Sequence, residues 1–312
     1  MRVAIIDLGT NTFNLLIADV LNTSSWQPVL KTKEAVKLGQ GGINQGIIVP
    51  EAYSRGIAAM GNLSAKILMH KTDKVFAFGT SALRDASNGA LFITEVKNRF
   101  NIDVTLITGD KEAELIYLGV KQTIGLVNEK FIILDIGGGS NEFIIADKQR
   151  FYWKESFKLG MARLIEKFNP PDPITTETIE FLESYFEDTL GSLIQAIEVY
   201  SPSILIGASG SFDSFVSMIH SDIFPNDFSL PASQPIELAE FENLHTQLIQ
   251  STREERDKMN GLEPVRRDMI VLAAVFVNYI MKRFKISTLH QSSYALKEGA
   301  LWEIMQTDLG NN

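Results

Sequence analysis

The chain has 312 residues, 45% hydrophobic and 21% charged, an ordinary globular composition at a length that favours two domains over one compact core. It contains no cysteine, which excludes disulfides, thiolate metal sites and thiol nucleophiles. The formal charge of −9 is uneven: residues 1–125 hold 13 Lys and Arg against 11 Asp and Glu, whereas Phe168 to Thr252 contains no Lys or Arg. That acidic stretch repels polyanions, so an anionic ligand is expected on other faces, although a solvated acidic surface requires no partner. The N-terminus MRVAIID enters a strand at once, without a signal-peptide pattern. The most apolar run, Met269 to Met281, is interrupted by Asn278 and is too short to span a bilayer. A cytoplasmic protein is expected, with neither a membrane nor a nucleic acid as partner.

In chain order, VAIIDLGTNTFNLLIADV reads as two apolar strands around a turn holding Asp7, Gly9, Thr10, Asn11 and Thr12. A third strand-like stretch leads to a Gly-rich loop, Gly39 to Gly46, and Pro50 and Glu51 open a helix with Ile57, Met60, Leu63 and Ile67 at helical spacing. DKVFAFGTSALRDA is a strand, a small-residue corner and a helix start that Thr80 or Ser81 can cap, and the helix is expected to continue through Phe100. VTLITGDKEAELIYLGVKQTIG predicts a strand and a helix carrying Glu112 in its first turn.

FIILDIGGGSNEFIIAD, Phe131 to Asp147, then repeats the opening pattern. Asp7 and Asp135 are each followed by Gly two positions on (Gly9, Gly137) and by Ala-Asp at the end of the second strand (Ala18-Asp19, Ala146-Asp147). Two homologous half-molecules follow, with their turns facing across a cleft. After this come a strand (RFYWKESF), a helix after Gly160, a break at NPPDPIT, and a helix to about Tyr200 capped by Thr175 or Thr176. SPSILIGASGSFDSFVSMI is a strand, a third small-residue turn at Gly207 to Ser211, and a helix. Phe224 to Pro235 reads as a loop; helices over 238–249 and 267–284, a strand in ISTLHQSSYA and a terminal helix complete the chain. Alternating strand and helix signals predict an α/β architecture.

Chemistry concentrates in the turns. Gly137, Gly138 and Gly139 lack side chains, so their N–H groups can converge on an anion, with Asp135 beside them to hold its metal ion. The same residues also suit a tight turn and nothing more. Hydroxyls of Thr10, Thr12 and Ser140 suit phosphate oxygens, and Gly210 and Ser211 would act through a helix N-terminus. The P-loop pattern is absent, and Glu142 stands where the last glycine of GxGxxG belongs. Glu112 is either a carboxylate matched to its helix dipole or a general base for water. Arg84, in a first helical turn, opposes the dipole and suits an anion, or else pairs locally with Asp85. Arg266, Arg267 and Lys297 read as surface charge, and His70, His220, His245 and His290 lack metal spacing.

Taken together, DLGTNTFNLLIADV, GTSALRDA, TGDKEAELIYLGV, ILDIGGGSNEFIIA, FKLGMARL, IGASGSFDSF, RRDMI and YALKEGAL resemble the exopolyphosphatase/guanosine pentaphosphate phosphatase (Ppx/GppA) family, within the actin-like ATPase, Hsp70 and sugar-kinase superfamily. The resemblance implies two ribonuclease-H-like domains with a cleft between them: residues 1–124, joined by the C-terminal helix 296–312, and residues 125–295. It puts the general base on Glu112, the phosphate and Mg²⁺ (or Mn²⁺) elements on Asp135, Gly137, Gly138, Ser140 and Glu142, the first phosphate loop on Asp7, Gly9, Thr10 and Asn11, and an anion-contacting arginine on Arg84. The family's usual Glu-Glu-Ala-Arg reads Lys111-Glu112-Ala113-Glu114. The substrate implied is inorganic polyphosphate or pppGpp, shorter chains being expected of what resembles a short form without the long members' C-terminal helical domains. A kinase of the same superfamily and a non-catalytic nucleotide sensor are the alternatives. A homodimer is one arrangement left open.

Overall fold

A computed structural model describes residues 1–125, 129–208, 210–221, 223 and 230–308. The first half runs β1 (Arg2–Leu8), β2 (Thr12–Asn22), β3 (Ser25–Ala35), α1 (Pro50–Met69), β4 (Lys74–Gly79), α2 (Ser81–Asp85), α3 (Gly89–Phe100), β5 (Val104–Leu106) and α4 (Gly109–Val120). The second runs β6 (Phe131–Ile136), β7 (Asn141–Ala146), β8 (Phe151–Phe157), α5 (Met161–Phe168), α6 (Thr176–Thr189), α7 (Gly191–Tyr200), β9 (Ile204–Ala208), α8 (Gly210–Ile219), β10 (Ser233–Ile236), α9 (Leu238–Gln250), α10 (Arg253–Arg256), α11 (Ile270–Phe284), β11 (Thr288–Ser292) and α12 (Leu296–Asp308).

The two sheets share one plan. In the first the order is β3-β2-β1-β4-β5, with the hairpins antiparallel and β1, β4 and β5 parallel. In the second, β8-β7-β6-β9-β11 repeats that order and polarity, and β10 adds an antiparallel edge on β11. The repeat read from the Asp, Gly and Ala-Asp positions of the two hairpins therefore extends through five strands. Its register is shared as well: Asp7 pairs with Asn14, and Asp135 with Glu142.

Strand alternation sets the layers. Ala4, Ile6 and Leu8 of β1 pack outward against α1 and α3, while Val3 and Ile5 face the middle of the molecule. In β6, Ile132, Leu134 and Ile136 pack outward against α5 to α9 and α11, while Phe131 and Ile133 face the middle. That middle layer holds α4 and α12, buried between both sheets. Asp7 and Asp135 share the parity of the inward residues, so both point toward the helices of the middle layer. No helix among the described residues is long and apolar enough to cross a membrane.

Glycine lets α4 and α12 approach: a Cβ at Gly299 would lie 1.7 Å from the Leu115 carbonyl oxygen, and one at Gly119 would lie 2.1 Å from that of Ala295. Gly299→Ala gains about 1 kcal/mol in helix propensity, but its methyl meets backbone that cannot rotate away. Overpacking of this kind costs about 1–3 kcal/mol or more, so net destabilisation is expected, read as a lower denaturation midpoint.

Some expected boundaries move. The helix expected through Phe100 breaks into α2 and α3, because the Asn88 side chain donates to the Ile48 carbonyl at 2.8 Å and accepts from the Ile48 N–H at 2.9 Å, fixing a turn. The helix expected to Tyr200 divides at Leu190, just before Gly191. Within the expected loop over 224–235, residues 233–236 form β10, and residues 224–229 lie outside the described residues. Of the capping expectations, Thr175 accepts from Thr178 N–H at 3.3 Å. Thr80 takes the N-cap position of α2, but its hydroxyl donates to the Leu8 carbonyl at 3.3 Å and makes no side-chain cap bond.

Candidate active site

The twin hairpins close with the same bond. Gly9 N–H donates to Thr12 O at 3.1 Å, and Gly137 N–H to Ser140 O at 3.0 Å. A Cβ at either glycine would lie 2.9 or 2.5 Å from that carbonyl oxygen, so these two positions admit only glycine. Both turns stand at the ends of strands whose inward aspartates overlook the N-termini of α4 and α12.

What orients the second turn lies after β8. The carbonyls of Gly137, Gly138 and Gly139 accept from the backbone N–H groups of Met161 at 3.0 Å, Ala162 at 2.9 Å and Gly160 at 3.3 Å, respectively. The start of α5 is thereby spent on the carbonyls of the turn, and the Gly138 and Gly139 N–H groups have no backbone acceptor among the described residues. Gly160 is required here, since a Cβ would sit 2.3 Å from the Gly138 carbonyl. Arg163 adds its guanidinium, donating to Gly139 O at 3.1 Å, to Ile43 O at 3.1 Å and to Asp85 at 3.1 Å. One side chain thus ties the second turn to the first half.

Both turns line one cleft of about 110 Å³, together with Ser81, Glu112, Glu142, Gly210, Ser211, Arg266 and Lys297. Asp7, Gly9, Thr10, Asn11, Asp135, Gly137, Gly138 and Ser140 are all on its wall. Ser209 of the third turn lies outside the described residues. Thr108 caps α4 by accepting from Lys111 N–H at 3.2 Å, which sets Glu112 in the first turn, only 8% exposed. Arg84 donates to Glu112 Oε2 at 3.1 Å and to the Ile107 carbonyl at 2.8 Å. Glu142 accepts on one oxygen from Ser140 at 2.7 Å and Ser156 at 2.6 Å, leaving its other oxygen uncommitted.

Four carboxylates therefore share a confined site. Burial, then Glu142, push the Glu112 pKa well above the ordinary glutamate value, against Arg84. Burial, then Glu142 and Asp7, do the same to Asp135, against Lys297 and Arg266. Burial raises Asp7 and Glu142 also. Burial disfavours the Lys297 ammonium, but Glu298, Asp7, Asp213 and Asp135 outweigh it and raise its pKa. Repulsion of this kind is relieved by a cation. Among the described residues no three carboxylates or histidines converge closely enough to hold a metal unaided. Asp135 and Glu142 could supply the one or two carboxylates that commonly hold magnesium together with water and substrate phosphates.

Several roles differ from the sequence reading. Glu112 is no exposed dipole partner; it is buried against Arg84. Arg84 does not pair with Asp85, which accepts from Arg163 and Lys158 instead, and it stands behind Glu112, off the cleft wall. Arg266 and Lys297, expected as surface charge, line the cleft. Lys297, like Arg84, is a cation in a first helical turn, where the dipole opposes it. Arg267 does point away, pairing with Asp257 at 3.1 Å. Glu114 is matched by Lys154 at 3.2 Å and Lys111 at 3.6 Å.

Known proteins are similar to this chain over almost its whole length. The Ppx/GppA phosphatase family matches residues 16–308. The crystal structure of an exopolyphosphatase from Cytophaga hutchinsonii superposes with a TM-score of 0.94 at 37% identity, covering 98% of each chain. Exopolyphosphatase 1 of Mycobacterium leprae is 24% identical over 302 residues, 96% of this chain and 88% of that one. Guanosine-5'-triphosphate,3'-diphosphate pyrophosphatase of Photobacterium profundum is 25% identical over 302 residues, 97% of this chain but 59% of that longer protein.

Proposed function

The chain belongs to the Ppx/GppA phosphatase family, and we propose that it removes the terminal phosphate of inorganic polyphosphate, of pppGpp, or of both, by attack of water. The observation that carries this reading is Glu112: a buried carboxylate, held by Arg84, at a cleft walled by two like Asp-Gly turns. We take residues 1–124 with 296–312 as one domain and 125–295 as the other, a division supported by the two like sheets.

In this mechanism the terminal phosphate sits between the turns, where the Gly138 and Gly139 N–H groups and the hydroxyl of Thr10 take its oxygens, and the Ser140 hydroxyl joins them by turning from Glu142. Asp135 and the uncommitted oxygen of Glu142 would hold Mg²⁺ or Mn²⁺, which neutralises phosphate charge when bound. Glu112 orients water and accepts its proton; its raised pKa makes it a stronger base than an ordinary glutamate, and Arg84 limits how far protonation competes. Lys297 and Arg266 stabilise charge on the leaving phosphates.

A phosphate-release panel tests it: tripolyphosphate, long polyphosphate, pppGpp and ATP, with and without magnesium. Magnesium-dependent release from polyphosphate or pppGpp, with ATP a poor substrate, is the expected result. ADP formation that depends on a hydroxyl acceptor would instead make it a kinase, and nucleotide affinity without release would make it a sensor.

A further inference from the structure

The cleft does not close at Lys297. Beyond Gly210, Arg266 and Lys297 it opens into a second cavity of about 470 Å³, walled on the first half by Lys31 and Lys33 of β3. Among the described residues its wall carries, by formal charge, four cations (Lys31, Lys33, Arg266, Lys297) and three carboxylates (Asp213, Glu263, Glu298). On the other flank, past Asn11 and Met269, a cavity of about 440 Å³ has Lys37 as its one lining cation among the described residues, beside Glu166 and Asp268. A chain of phosphates leaving the catalytic cleft is therefore drawn toward Lys33, and away from Glu166.

One feature of the second cavity opposes that ligand. The Glu263 side chain is only 8% exposed and is held between Lys33, on the first half, and Arg266, at 3.7 Å on its own segment. A carboxylate between two cations occupies the position that the oxygens of a phosphate would take. Lys31 pairs with Glu298 at 3.4 Å, so the described residues leave the cavity close to neutral.

Resting on the phosphohydrolase reading, we propose that the second cavity is the subsite for the phosphates that follow the terminal one, and that Glu263 competes with them for Lys33 and Arg266. Glu263 then sets chain affinity: the phosphate chain binds by displacing an internal carboxylate. Orthophosphate, which reaches only the first cavity, does not engage the exchange.

The test is calorimetric titration of tripolyphosphate and of orthophosphate, in magnesium buffer, on a Glu112→Gln background so that the chain is not consumed. Adding Glu263→Gln is expected to tighten tripolyphosphate about three- to tenfold at low salt, since it removes one nearby competing charge. The gain should shrink as salt rises, and orthophosphate affinity should stay unchanged. Lys33→Gln, which leaves Glu263 in place, should weaken tripolyphosphate instead, and it decides the matter if the Glu263 variant does not fold. Unchanged tripolyphosphate affinity in both variants overturns the proposal, as does an equal gain for both ligands, which would be a general field effect. If neither ligand binds even without these changes, the phosphohydrolase reading itself fails.

Discussion

Glu112→Gln is expected to lower kcat for phosphate release by about 10²–10⁴, the usual contribution of a positioned general base, while KM changes little. The amide keeps the shape of the side chain and can still meet Arg84 through its oxygen, so the fold should survive. Thermal unfolding run beside the kinetics separates lost chemistry from lost structure. The pH profile gives a second check. Glu112 works ionised, and burial followed by Glu142 raises its pKa, so kcat should fall with acid at a pH above the ordinary glutamate range. Arg84 opposes that shift; in Arg84→Ala the acid limb should move further up in pH. Full turnover by Glu112→Gln would remove this residue from the mechanism.

Asp135→Asn should produce opposite changes in activity and stability. The folded-state pKa of Asp135 is raised above its unfolded value, by burial and then by Glu142 and Asp7. A carboxyl of this kind stabilises the fold while protonated, and that contribution is lost as pH climbs from the unfolded to the folded value. At neutral pH the carboxyl is therefore a net cost, of about 1.4 kcal/mol per unit of the upward pKa displacement that lies below that pH. The asparagine variant should melt higher than the parent in EDTA at pH 7, and the difference should vanish below pH 4 or so, where both forms are neutral. Activity should drop by two orders of magnitude or more, because the proposed metal loses a ligand. A lower melting point in EDTA would contradict the charge repulsion described here.

Much of this site was legible because turn chemistry is local. Asp7-Gly9 and Asp135-Gly137 carry their own reason for being glycine, and the spacing of Ala18-Asp19 and Ala146-Asp147 exposed the duplication. The layers were legible in principle: the inward parity of Asp7 and Asp135 follows from counting along Val3, Ile5 and Phe131, Ile133. What remained hidden depends on partners distant in sequence. A cation in a first helical turn is expected at Lys297 and, from the helix read over 267–284, at Arg267 alike, so that signal does not separate Lys297, which faces four carboxylates, from Arg267, which faces Asp257. Arg84 and Asp85 are adjacent in sequence, yet one serves Glu112 and the other Arg163, and only the packing of α2 decides which. The division of α2 from α3 depended on Asn88 finding Ile48 across a loop.

The start of α5 also bears on how far this site could be moved elsewhere. The direction of the Gly138 and Gly139 N–H groups is set by Gly160, Met161 and Ala162, which hold the carbonyls of the same turn from behind. Transplanting the hairpin of residues 131–146 alone into another sheet would carry the glycines without what aims them. A graft that keeps its affinity for anions must take the strand β8 and the first turn of α5 with it. Residue 160 would have to remain fixed in any library built on the turn.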